Sequence, residues 1–272
     1  MVGRWRKYLV WAARRHPVWF RLRDLLLTRT GDPGRFWTED AGRWNPVVPP
    51  AYQQAAAQLS VGGPGGDWER AVAIALDLRS HRGRLNGLST DSLRALEGVR
   101  AGAGNCSDRT QVFLGLCLAS NIRVREWAYN VDGNGHAFCE VFCPERDRWQ
   151  VIDPFHGVQV VDPHGPVGVL DLLAATGGER AALRVERLPG SSPDPIVPDS
   201  TFSLRADTAF RLIARNQMFA QDALLRFEPR CPLVLLHAAL VLSGRYQRFW
   251  SYTPDQAAAI QAEHPHQLPQ RS

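Results

Sequence analysis

The chain has 272 residues, 44% of them hydrophobic and 22% charged, with a formal net charge of +5. That composition excludes a disordered polymer and fits one large domain or a core with extensions. Lys7 is the only lysine, so Arg carries nearly all of the positive charge. The bias fits a GC-rich, bacterial genome. Cys106, Cys117, Cys139, Cys143 and Cys231 form an odd set without framework spacing. Free thiols in a reducing, cytoplasmic compartment are therefore expected.

At the N-terminus the apolar run Tyr8 to Ala13 is interrupted by Arg14, Arg15 and Pro17 before a signal-peptide core can form. The longest apolar run, Cys231 to Leu242, is too short to cross a bilayer and contains His237, so it reads as a buried helix with a core histidine. No secretion and no transmembrane segment are expected. Residues 1–60 read as a helical extension rich in tryptophan, with Trp5, Trp11, Trp19, Trp37 and Trp44 set among basic residues. Packing on its own domain is the expected role, with peripheral contact to an anionic surface as the alternative. No nucleic-acid motif accompanies it, so no nucleic-acid partner is expected.

The core is expected over 61–165. After a Gly/Pro hinge at 60–66, Asp67 suits the start of a helix whose Trp68, Ala71, Ile74, Ala75 and Leu78 share one face. A second helix over 90–99 runs into Arg-Ala-Gly-Ala-Gly, which lets the backbone turn into Asn105 and Cys106. The next helix, 106–120, is expected to be buried on Val112, Phe113, Leu116 and Cys117. Three strands follow, 122–130, 136–143 and 149–153, as an antiparallel meander. The C-terminal part, 166–272, is expected to be an extension with a Pro/Ser-rich linker at 189–200 and a helical hairpin, 208–227 and 232–250.

Cys106, His136 and Asp153 suit one another chemically. An unperturbed thiol is only a few per cent ionised at neutral pH, but a helix N-terminus and a neighbouring imidazolium both favour its thiolate. His136 can supply that charge and then act as general acid toward a leaving amine. If the turn 144–147 pairs Cys143 with Arg148, Phe138 pairs with Asp153, and His136 lies two residues along on the same face, within diagonal reach of the carboxylate. By the same alternation Cys139 and Cys143 face the other way and belong to the core. Their spacing with His136 and His156 matches no common zinc site, and no metal is expected. His156 and His164 read as loop residues near the cleft.

Gly104-Asn105-Cys106-Ser107-Asp108 opening a helix, Gly135-His136-Ala137-Phe138-Cys139-Glu140-Val141-Phe142, and Trp149-Gln150-Val151-Ile152-Asp153-Pro154 together resemble the transglutaminase-like superfamily. The resemblance covers about 67–157. It implies an α+β, papain-like core in which a central helix carrying the cysteine packs on an antiparallel sheet. It also implies Cys106 as nucleophile, His136 as general acid/base and Asp153 as orienting carboxylate; no acidic ligand cluster stands out, and no cofactor is expected. Phe138 stands where the family commonly has tryptophan, keeping an aromatic wall at the substrate site. The family's second oxyanion donor has Trp68 as its candidate here, against a role for Trp68 in the helix core. The function expected is cysteine-dependent acyl transfer or hydrolysis at an amide or thioester carbonyl of a peptide, protein or small molecule. A non-catalytic binding or scaffold module that keeps the fold is the alternative.

Overall fold

The computed structural model describes residues 41–45, 47–59, 65–80, 91–131, 134–175, 182–191, 210–214, 216–226, 233–243, 246 and 248–263. Helices α1 (Ala41–Trp44), α2 (Pro50–Gln58), α3 (Asp67–Ser80), α4 (Ser92–Arg100) and α5 (Cys106–Ala119) come first. Strands β1 (Val124–Val131), β2 (Asn134–Cys143), β3 (Arg148–Asp153), β4 (Val158–Asp162) and β5 (Gly165–Pro166) lead to α6 (Val169–Ala174) and β6 (Arg184–Arg187). Then follow β7 (Phe210–Ala214), α7 (Gln217–Leu225), α8 (Leu233–Leu242), β8 (Arg248–Tyr252) and α9 (Pro254–Glu263).

All eight strands form one antiparallel sheet in the order β5-β4-β3-β2-β1-β7-β8, with β6 also on β4. Alternation along β2 divides its side chains between two cores. Cys139, Val141 and Cys143 join α2, α3, α4 and α5 in one cluster. Phe138 and Phe142 join Trp127, Trp149, Phe210, Tyr252 and residues of α6 and α9 in the other. The architecture is thus α+β, with the cysteine-bearing helix on one face of the sheet.

Helix α5 runs through the middle of its layer, with Val112, Phe113, Leu116 and Cys117 all buried. At Gly115 it comes so close to α2 and α7 that a Cβ would lie 2.6 Å from Tyr52 Cε1 and 2.8 Å from Phe219 Cζ. The Tyr52 hydroxyl donates to the Ser92 carbonyl at 3.1 Å, which links α2 to α4. On the far face Arg125 and Glu140 form a buried ion pair at 3.1 Å. Trp127 Nε1 and the Val169 amide each donate to Glu140 at 2.5 Å, tying the sheet to α6.

The helical hairpin expected over 208–250 is a correction. Strand β7 replaces the first turns of the first helix, and β8 replaces the end of the second. Glu126 pairs with Ile213 and Tyr129 with Phe210, which puts β7 between β1 and β8. Phe210, Leu212 and Ile213 are all buried, and a strand covered on both faces has the continuous apolar run of a buried helix. Expected residues 1–40, the linker at 192–200 and Cys231 lie outside the described residues, as does the side chain of His237. Among the described residues no helix is long and apolar enough to cross a membrane.

Candidate active site

The first turn of α5 is built by local chemistry. Gly104 takes φ +97°, a conformation that disfavours a side chain, and a Cβ there would lie 3.1 Å from Asp108 Cβ. The chain then enters a capping box: the Asn105 side chain accepts from the Asp108 amide at 3.0 Å, and Asp108 Oδ2 accepts from the Asn105 amide at 3.0 Å. Cys106 is therefore the first helical residue, half-buried at the positive end of the helix. The Thr110 hydroxyl donates to the Ala137 carbonyl at 3.0 Å, which fixes this turn against β2 beside His136.

Strand register brings the carboxylate to the histidine. Cys143 pairs with Arg148 and Cys139 with Ile152, where the ladder ends, so Asp153 follows one residue past the last pair, at the level of Phe138. His136 Nε2 lies 2.8 Å from Asp153 Oδ2, and the Cys106 side chain is near enough to favour the proton on the His136 ring. Asp153 is fully buried, and its Oδ1 accepts from the Phe155 amide at 2.8 Å and the His156 amide at 3.1 Å. Both oxygens of the carboxylate are thus engaged, and its orientation is set by the turn that follows β3.

The electrostatics follow from this geometry. Burial by itself disfavours a charged His136, but the Asp153 charge and hydrogen bond and the effect of Cys106 outweigh it, raising His136 to about 10. Burial pushes the Asp153 carboxyl up, and the facing His136, with His156 and its amide, more than reverses this and holds it below the ordinary range. At neutral pH the pair is an imidazolium and a carboxylate. Burial raises the thiols of Cys117 and Cys139 well above their ordinary value, which keeps both as neutral core groups.

Aromatic rings enclose His136. Phe138 is fully buried and stacks on it at 6.4 Å with a 12° interplanar angle, and Tyr129, its cross-strand partner, lies at 5.7 Å. His156 lies 5.1 Å from the His136 ring, with Phe155 edge-on to His156 at 4.8 Å. Trp68 is buried in the cluster around α3 and α5, as its place on the helix face suggests. His164 sits in the β4–β5 turn, where its amide donates to Asp162. Tyr129 was not singled out in the sequence, although its strand alternation and the hairpin register would have set it opposite His136. His136, Asp153 and His156 bring potential ligand atoms within 4.8 Å of one another.

Residues 53–154 match the family model of the transglutaminase-like superfamily. The structure of a putative cysteine protease from Cytophaga hutchinsonii is similar at 20% identity and a TM-score of 0.34, over 58% of this chain and 52% of that one. The chain thus spans about half the length of that protein. No curated protein matches it. The family match opens within α2, takes in the whole of α5, β1 and β2, and closes one residue after Asp153. Residues 53–154, less than half of the chain, are thus similar to the transglutaminase-like superfamily.

Proposed function

We propose that the chain is a cysteine-dependent acyl-transfer enzyme whose nucleophile is Cys106, with His136 as general acid/base and Asp153 as the carboxylate that orients it. The observation that carries this reading is the hydrogen bond between the His136 ring and Asp153 Oδ2, with Cys106 at the first turn of α5 acting on the same ring. The Cys106 thiolate attacks the carbonyl carbon of an amide or thioester. The oxygen that becomes negative lies where the Cys106 backbone N–H at the helix start can donate to it. His136 gives its proton to the departing amine or thiol, leaving a thioester on Cys106 and a neutral imidazole. Water or an acceptor amine then attacks the thioester, His136 takes up its proton, and the thiolate returns. Asp153 stays ionised throughout, and Phe138 forms the wall behind the imidazole. The substrate class is a peptide, a protein or a small amide or thioester.

The test is alkylation of the purified protein with limiting iodoacetamide at mildly acidic to neutral pH, read residue by residue by mass spectrometry. Cys106 should react first, and His136→Ala should abolish that preference. Equal labelling of Cys106 and the other cysteines in the wild-type protein would rule the proposal out.

A further inference from the structure

The turn after β3 gathers three ligating groups that the sequence spacing did not bring together. Asp153 pairs with Val158 across a closed hairpin, and the Gly157 amide donates to the Asp153 carbonyl at 2.8 Å, with Gly157 at φ +69°. That turn curls the chain back. The His156 amide therefore donates to Asp153 Oδ1 while the His156 ring lies 5.1 Å from the His136 ring. His136, Asp153 and His156 each offer one ligand atom, and no two of these atoms are more than 4.8 Å apart. The sequence set Cys139 and Cys143 beside the two histidines as possible ligands. The structure turns both cysteines into the core and puts a carboxylate in their place. Both histidines are partly exposed and Asp153 is fully buried, so an ion reaches the group from its imidazole side.

We propose that His136, Asp153 and His156 form a binding site for a divalent transition metal of the Zn2+ kind. Two imidazole nitrogens and one carboxylate oxygen are a borderline donor set, suited to Zn2+ and its first-row neighbours and too poor in oxygen for Ca2+ or Mg2+. Zn2+ binds such atoms at about 2.0 to 2.2 Å, so tetrahedral ligands stand about 3.3 Å apart. The 2.8 Å between His136 and Asp153 and the 4.8 Å limit for the third atom bracket that separation. A rotation of the partly exposed His156 ring closes the set. Charge favours the same ion. Asp153 is a buried carboxylate that needs a positive partner, which is the His136 imidazolium without the ion and the metal with it. On binding, both imidazoles act as neutral donors, and the proton between His136 and Asp153 leaves to solvent. Three protein ligands leave a fourth position for water. An ion there denies His136 the proton it gives to the leaving group, so metal binding and acyl transfer exclude each other. That consequence rests on the acyl-transfer reading; the metal site does not.

The experiment titrates Zn2+ into the purified, tag-free, metal-stripped protein at neutral pH by isothermal calorimetry, and records the absorption spectrum of the Co2+ complex. The wild-type protein should bind Zn2+ saturably, and its Co2+ complex should lack thiolate-to-metal charge transfer. Cys106→Ser should bind with the same affinity. His156→Ala should weaken binding by at least about tenfold, the loss that removal of even an outer partner brings. His156 is partly exposed, and its substitution leaves the backbone amide that Asp153 accepts from, so this variant keeps the fold. Asp153→Asn, checked by circular dichroism, should show the same loss. No saturable binding in the wild type overturns the proposal, as does unchanged affinity in His156→Ala. Loss of binding in Cys106→Ser, with a thiolate band in the wild-type Co2+ complex, also overturns it, since the ion then sits on the cysteine. Labelling of Cys106 in the metal-free protein is a separate readout. Absence of its preference over the other cysteines defeats the nucleophile reading and leaves the metal site standing.

Discussion

Replacing Asp153 with Asn keeps the shape of the side chain and removes the charge that His136 faces. In the folded protein His136 rises from 6.5 to about 10, against the opposing effect of burial. A difference of that size corresponds to about 5 kcal/mol of pH-dependent stability, an upper figure because the imidazole is strongly coupled to its partner. Because the folded value lies above the unfolded one, this contribution is fully present below about pH 6.5 and is lost as the pH rises through 10. Glu126, buried on β1, slopes in the same direction, since its raised folded value makes its contribution fade between 4.5 and about 8. Above pH 8 the buried thiols of Cys117 and Cys139 slope the same way in both proteins, so His136 is read from the difference between wild type and variant. Urea unfolding followed by tryptophan fluorescence should show wild-type stability declining from pH 8 to pH 10 by about 2 kcal/mol more than that of Asp153→Asn. Asp153→Asn should also be less stable at neutral pH. Parallel curves for the two proteins would refute the argument that Asp153 is what holds the proton on His136.

Asn105→Ala removes one half of the capping box and should cost about 1 kcal/mol in urea unfolding. It should also slow labelling of Cys106, because the first turn of α5 loses its anchor; unchanged labelling would mean that the cap does not position the thiol. Gly115→Ala gains about 1 kcal/mol of helix propensity but drives a methyl group into Tyr52 and Phe219. Thermal melting should show a net loss of about 1 to 2 kcal/mol, and a raised Tm would show that the two rings move aside without cost.

The pairing of His136 with Asp153 was legible because its determinants are local. Asn105 and Asp108 mark a helix start within four residues, and the short turn at Pro144–Arg146 sets the register that carries Asp153 to His136. The alternation of β2 also separated His136 from Cys139 without any knowledge of the surrounding layers. Strands β7 and β8 were hidden because their identity depends on β1, far earlier in the chain. Phe210-Arg211-Leu212-Ile213-Ala214 has no strict period of two, and only its two-sided burial explains the missing alternation. His156 could be placed only near the cleft, because a hydrogen bond from the turn to Asp153, and no sequence period, folds it back on His136.

The position of β7 has a consequence for how the protein is made. β1 stands between β2 and β7, so one of its two ladders comes from a neighbouring hairpin and the other from a segment about eighty residues downstream. During synthesis Cys106, His136 and Asp153 all leave the ribosome before that second ladder exists, and β1 waits with an open row of amide and carbonyl groups. A nascent or truncated chain ending before residue 210 has Cys106, His136 and Asp153 on an unfinished sheet. Such a fragment is a template for pairing with a second chain, and its solubility depends on how quickly the downstream strand arrives.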